Sequence, residues 1–384
     1  MSTIKVNKIE ATATANGGIA IDSSGHVQVD GNQLPTAGPL SNRNLITNGA
    51  MQVAQRGTSA TVADNSNEGY STLDQWAIYY NSSMSGAVTF SQSTDAPSGF
   101  ATSAKLQCST TNTSISGNQY LKLVNKIEAQ NCQLLDYGSS GAKSSILSWY
   151  MKTDTYTGPV SVSLEIEGGQ EYFTVSVTPT TSWARYTLAI PGSTSQAINN
   201  DNGEGLTLHF ALAGSTSSSN AASSDSTAWS STRSDYRDNI GNLLSSTSNA
   251  FYVTGVQLEV GEKATPFEHR SYGDELARCQ RYFYAYELLG VTLVGGNTAL
   301  CNGSVYFPVE MRAAPTLTSS SVDRMTNIGE ANHNGTYTFG SNIVEKTHCA
   351  INYSRSSGDT WNQGTPLSIN DTGGSTIMNI TAEL

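Results

Sequence analysis

Phe251-Tyr252-Val253-Thr254-Gly255-Val256-Gln257-Leu258-Glu259-Val260, closed by Gly261, is rich in β-branched and aromatic residues and alternates them with polar ones. That pattern suits a pleated, half-buried strand. The same signature, bounded by Gly, Asn, Pro or Ser, recurs at 87–90, 144–151, 160–166, 172–177, 184–190 and 206–212. Seven strands with turn signals between them and no helical period predict an antiparallel sandwich or jelly roll over residues 41–271. The stretch 214–249, rich in Ser, Thr and Asn, is too long for a tight turn. A loop of that length is usually functional or packed by its own side chains, here Trp229, Tyr236, Ile240, Leu243 and Leu244.

Outward from the sandwich the pattern changes twice. Residues 1–40 carry short apolar alternations (Ile4, Val6 and Ile9; Ile19 and Ile21; Val27 and Val29) separated by Gly17-Gly18 and Ser24-Gly25. Such strands bury too little apolar surface to order themselves, so this extended β arm must pack on copies of itself or on a neighbouring protein, as an attachment end does, or stay disordered. On the other side, Ser271 with Asp274 three residues on fits a capping box, and Leu276, Cys279 and Phe283 recur at helical spacing. A short linker helix therefore leads into a distal β-domain, 272–384, with strands expected at 290–294, 303–307, 316–320, 337–339, 343–353 and 375–380. No repeat of 20 to 50 residues points to a propeller or parallel β-helix.

Composition narrows the function. Charged residues are 13% of the 384, about half the usual share, while the hydroxyl, amide and glycine content is high, a profile of secreted or virion β-structure. A net charge of −11 repels phosphate backbones and anionic membranes, so neither nucleic acid nor membrane is an expected partner. Cys108, Cys132, Cys279, Cys301 and Cys349 are odd in number and lack C-x-x-C spacing, which predicts buried thiols. The absence of a long apolar run and the polar beginning argue against a membrane span or a signal peptide. Cytoplasmic synthesis with extracellular composition fits a phage particle released by lysis.

The closing strand continues through Ala264-Thr265-Pro266-Phe267-Glu268 to Arg270. It has a counterpart in Asn44-Leu45-Ile46-Thr47-Asn48-Gly49-Ala50-Met51-Gln52, followed by Gln55-Arg56-Gly57, Tyr70 and Asp74-Gln75-Trp76. Together these resemble the two ends of a jelly-roll domain common in bacteriophage tail fibre proteins, similar to carbohydrate-binding modules. Glu275-Leu276-Ala277-Arg278-Cys279-Gln280-Arg281-Tyr282, Val305-Tyr306-Phe307-Pro308-Val309 and Met311-Arg312-Ala313-Ala314-Pro315 are similar to segments that begin the distal domains of such fibres. The resemblance covers about residues 41–317. It implies a virion-borne homotrimer that contacts the host envelope, usually a polysaccharide; attachment to another virion protein through residues 1–40 is expected from the arm's own need for burial. A structural fibre decorating the capsid and an enzyme degrading envelope polysaccharide are the rival readings. The resemblance supplies no sugar site; read physically, the two motifs are first and last strands meeting in one sheet, with Trp76, Phe251, Tyr252 and Phe267 in the core.

Motifs for chemistry are sparse. Gly138-Ser139-Ser140-Gly141-Ala142-Lys143-Ser144 has Ala142 where a phosphate loop needs Gly, and no helix follows. His26, His209, His269, His333 and His348 lack ligand spacing. A glycosidase needs two carboxylates across a cleft, whereas Glu165 and Glu167 share one strand face. No catalytic residue and no cofactor is expected. The acidic loop at 199–204 carries oxygen donors suited to calcium without the spacing of an EF-hand, leaving an ordinary solvated turn or an ion site. Sugars favour a flat aromatic face beside amides or carboxylates. The candidates are Trp361 beside Asn362 and Gln363 in a polar, turn-prone context, Tyr337 and Tyr353 in the distal domain, and Trp229 in the long loop.

Overall fold

The computed structural model describes residues 8–10, 18–21, 27–29, 32–33, 39, 41–63, 69–80, 84–288, 290–319, 322–327, 332–358, 360–369 and 377–384. The chain divides into two compact units, Met1–Ser271 and Tyr272–Leu384.

Within the first unit, two six-stranded sheets face each other. One runs, in spatial order, Ala184–Ile190, Ser145–Asp154, Ala250–Val260, Ser103–Thr110, Ala87–Ser93 and Ser59–Ala63. The other runs Glu171–Val177, Val160–Ile166, Glu204–Gly214, Tyr120–Glu128, Ala77–Tyr80 and Gly69–Tyr70. Pairing within both is antiparallel, and the chain passes repeatedly from one sheet to the other, as a jelly roll requires. Alternation places Leu147, Trp149, Met151, Phe251 and Val253 of the first sheet against Leu123, Leu164, Leu208 and Phe210 of the second. Phe210 forms the hub: its ring centroid lies 5.9 Å from Trp149, 6.2 Å from Phe251 and 6.3 Å from Trp76.

The opening and closing motifs do meet, but the opening segment is not a strand. The side chain of Asn44 accepts from the Leu258 amide (3.1 Å) and donates to the Val256 carbonyl (3.1 Å), while Arg43 reaches Glu259 at 3.3 Å. Asn48 and Met51 take left-handed backbone angles, φ 56° and 57°, which turn the segment instead of extending it. The Asn48 side chain satisfies the amides of Gln52 and Val53, at 2.9 and 3.0 Å. Gly49 is required by proximity, since a Cβ there would lie 2.2 Å from the Val256 carbonyl oxygen. Trp76, Phe251 and Tyr252 are buried as their spacing predicts; Phe267 is half-buried.

Preceding the sandwich, Lys8–Glu10, Gly18–Ile21, Val27–Val29 and Asn32–Gln33 form a four-stranded antiparallel meander. Register puts Ile9 opposite Ile19, Ile19 opposite Val29 and Ile21 opposite Val27, so these five residues share one face. All five are exposed. Ile4 and Val6 lie outside the described residues.

The second unit opens with the helix Tyr272–Gln280, which has Asp274 and Glu275 in its first turn and Arg278 in its last, matching the helix dipole. A three-stranded sheet follows, in the order Phe283–Glu287, Ile377–Thr381, Thr316–Ser319. Beside it a six-stranded closed barrel runs Thr292–Gly295, Leu300–Tyr306, His348–Gly358, Asn332–Val344, Val322–Asn327 and Pro366–Ile369. The strand expected at 343–353 is two strands joined by a hairpin turn at 345–347.

Candidate functional site

The aromatics expected to meet a ligand in the barrel unit are core residues. Trp361 is only 4% exposed, and Tyr337 and Tyr353 are fully buried. Trp361 packs 5.5 Å from Tyr337 and 6.1 Å from His333. Its turn is polar, as the composition says, but a slot exists: a Cβ on Gly295 would stand 2.5 Å from the indole, so the missing side chain admits the ring. Tyr353 meets Phe339 edge-on at 5.6 Å and shares a hydrogen bond with Ser319 (3.2 Å). The expectation that each of these rings is a candidate to meet a sugar is corrected, because rings consumed in packing have no free face. Asn362 and Gln363 alone of that group are exposed.

Trp229 also turns inward. Its ring lies 5.8 Å from both Tyr137 and Phe173, and its Nε1–H donates to the Pro191 carbonyl at 2.6 Å. That indole pins the middle of the long loop against the edge of the second sheet. Tyr236 and Ile240 pin its far end by packing on Ala211 of the outward sheet face, and Leu243 and Leu244 join the main core. Between these anchors hydroxyls carry the loop across the sheet. Ser226 accepts from the Thr174 amide (3.0 Å), Tyr172 and Ser230 exchange backbone hydrogen bonds, and the Thr174 hydroxyl donates to the Ser234 carbonyl (2.6 Å). The residues of a strand's outer face, Ser161, Ser163 and Glu165, are thus polar because a polar loop lies on them.

The loop encloses a basin of about 420 Å³ on its outer side, lined from Ser219 to Ser234. Hydroxyls dominate the lining, with Ala221, Ala222 and Ala228 as the apolar contribution and Asp225 and Arg233 as the charged residues. Asp225 is ion-paired with Arg237, and Arg233 grips Asp235 through Nη2 at 2.8 Å and Nε at 3.0 Å.

Behind Arg233 a row of charges is buried in the sheet face. Lys122, with its side chain 4% exposed, places Nζ 3.5 Å from Asp235 and 4.2 Å from the centroid of the Tyr120 ring. Burial pulls the Lys122 ammonium below its usual pKa, opposed by Asp235 and Glu165. Burial would raise the Asp235 carboxyl, but Lys122 and Arg233 more than offset it and hold it below the usual carboxylate range. His209 Nε2 is 3.2 Å from Glu165, and Nδ1 is buried without a hydrogen-bond partner among the described residues. Burial lowers the His209 pKa more than Glu165 raises it, so the ring is held neutral, with Nε2–H donating to the carboxylate. Lys122, Asp235 and Arg233 escaped sequence reading, and His209 stood out there only for lacking ligand spacing. The available signal was polar residues on alternate positions of apolar strands ahead of a long polar loop.

The carboxylates around the acidic loop are engaged locally: Asp201 accepts from the Gly203 amide (2.8 Å), Glu204 pairs with Lys126 (2.8 Å), and Glu167, on a neighbouring turn, accepts from Asn199. Glu165 and Glu167 do not share a face, because Glu167 follows the end of its strand with φ at 35°. No group of three His, Cys, Asp or Glu among the described residues is placed to hold a metal. All five cysteines are free and buried, and burial raises the Cys301 and Cys349 thiols to about 11.

No family model matches the chain, and no curated protein matches it. Among solved structures, the enzymatically active domain of tailspike protein 4 of bacteriophage CBA120 is similar over 56% of this chain and 21% of its own, at 12% identity and a TM-score of 0.30. The chain therefore spans about a fifth of that protein's length. A CBM4 structure is similar over 56% of this chain and 99% of its own, at 14% identity and a TM-score of 0.27. The family 11 carbohydrate-binding module of cellulase Lic26A-Cel5E of Clostridium thermocellum is similar over 53% and 95%, at 13% identity and a TM-score of 0.27.

Proposed function

We propose that the chain is a phage virion adhesin of the tail-fibre type, a homotrimer that binds a host surface polysaccharide and does not cleave it. The observation that carries the binding half is the long loop: a polar segment fixed at several points to a rigid sheet, holding a hydroxyl-lined basin open to solvent. Recognition loops on rigid scaffolds are positioned in this way. The carboxylates of this face support binding over hydrolysis, since Glu165, Asp235 and Glu204 are each engaged by a cation or imidazole. The assembly half rests on the N-terminal meander, whose aliphatic face of Ile9, Ile19, Ile21, Val27 and Val29 has to be covered for so small a sheet to persist. Sister chains and a neighbouring virion protein would cover it. Trimerisation multiplies weak single sites, by roughly 10² to 10⁴-fold in avidity.

The test uses the full chain. Light scattering is expected to report a trimer, and the labelled protein is expected to bind a subset of an immobilised polysaccharide panel without releasing reducing ends. A monomer that binds no polysaccharide would overturn the reading. Reducing-end release would convert it to the depolymerase reading, and immunogold labelling confined to the capsid would convert it to the decorative fibre.

A further inference from the structure

The basin in the 219–234 loop has an unusual balance of chemistry, from which we propose that it takes a short segment of a neutral glycan and discriminates against glycans bearing uronate, sialate or phosphate. The inference rests on the glycan-binding reading and deepens it. Exposed hydroxyls of Ser219, Ser223, Ser224, Thr227 and Thr232 line the basin, and none has a hydrogen-bond partner among the described residues. A hydroxyl offers one donor and two acceptor sites, the same inventory as the sugar hydroxyl it would meet.

An anionic sugar needs something else, an excess of positive charge to meet its own. Arg233 is the one cation of the lining; two of its five N–H groups go to Asp235, a carboxylate it shares with Lys122. Lys122 stands behind the same carboxylate with its side chain 4% exposed. Asp225, the one carboxylate of the lining, is held by Arg237. Lys122 and Arg233 are thus balanced by Asp235 and Glu165, and Arg237 faces both Asp225 and Asp238, so the basin carries no excess positive charge, and the net charge of −11 adds long-range repulsion of a polyanion. The methyls of Ala221, Ala222 and Ala228 supply the apolar surface that the C–H edges of a sugar ring require. A volume of about 420 Å³ lies at the lower end of the range for small-molecule sites, which limits the segment held to a short one.

The experiment is a glycan array probed with the full chain, carrying neutral hexose and N-acetylhexosamine oligomers beside uronate-, sialate- and phosphate-bearing ones. It is run at about 50 and 300 mM NaCl, a change that strips most of the benefit from exposed ionic contacts. Binding to neutral glycans is expected, changing less than about twofold with salt. The triple variant Ser223→Ala, Ser224→Ala and Thr227→Ala alters only exposed side chains; its melting temperature should be unchanged and its affinity lower by at least about tenfold. Preferential, salt-sensitive capture of acidic glycans would overturn neutral selection and leave the adhesin reading standing. Undiminished neutral binding by the triple variant would remove the basin from the site with the same consequence. Failure to bind any glycan would sink both.

Discussion

Two polar segments of this chain each carry one tryptophan, and in both the indole points inward, but the two differ in what stays outside. In the turn at 360–364 the ring of Trp361 fills a slot opened by Gly295, while the side chains of Thr360, Asn362 and Gln363 stay in solvent. In the 215–249 loop Trp229 anchors the middle of a segment long enough to fold back, so a basin forms around the anchor. The polarity of a segment therefore describes its surface and says little about its largest ring. An indole offers so much apolar area that it is buried wherever the surrounding fold leaves a gap of the right shape. What reaches solvent then depends on segment length: a short turn spends its aromatic residue on stability, whereas a long loop can spend one and still enclose a basin.

The sharpest way to break this comparison is Trp361→Ala. Loss of a buried indole from the barrel is expected to cost about 4 kcal/mol, read as a large fall in the melting temperature of the full chain. A fall near zero would mean that the ring is solvent-facing and available to ligand after all. Next in size is Asp235→Asn, which removes the carboxylate shared by Lys122 and Arg233 and leaves a buried ammonium unpaired, at about 3 kcal/mol. Lys122→Met in the same background should recover part of that loss, because it removes the stranded charge. Trp229→Ala is expected to cost less, about 2 kcal/mol, since the indole is half-buried and forfeits one hydrogen bond with its packing. Its stronger signature should be faster proteolysis within 215–249, as the loop loses its middle anchor.

Much of the sandwich was legible because its strands alternate strictly: 160–166 and 184–190 coincide with observed strands, and 206–212 lies inside Glu204–Gly214. Tyr120–Glu128 was not legible, because Asn125 breaks the inward row of Leu121, Leu123 and Ile127. That asparagine is fully buried and donates to the Gln75 carbonyl at 2.9 Å, tying the opening motif to the sheet, a role no local pattern announces. The inward tilt of Trp361 was hidden for a similar reason: its slot is made by Gly295, 66 positions away in sequence (361 − 295). The self-packing of the long loop, by contrast, followed from its own apolar residues, with Tyr236, Leu243 and Leu244 all fully buried.

The smallest effect tests whether the sheet face beneath the long loop is dry, which the basin needs if its walls are to stay fixed. His209 faces Glu165, Lys122 and Asp235 from the neighbouring strands and the loop, and burial is the largest influence on it, lowering its pKa below the ordinary 6.5. The folded protein then resists protonation while the unfolded chain accepts a proton near pH 6.5. The unfolded state binds more protons in that window, so stability is whole above it and declines as the pH falls toward the folded-state value. The decline contributed by one such group cannot exceed about 1.4 kcal/mol per pH unit. Melting curves of the full chain between about pH 7.5 and 5.5 should fall more steeply for wild type than for His209→Gln, which packs a neutral amide against Glu165 and has no proton to gain. Parallel curves would show that His209 takes up its proton in the folded state, which requires water at the ring and a loop that lifts from the sheet. The 215–249 loop would then resemble an ordinary mobile connection, and its distinction from the well-packed turn around Trp361 would rest on length alone.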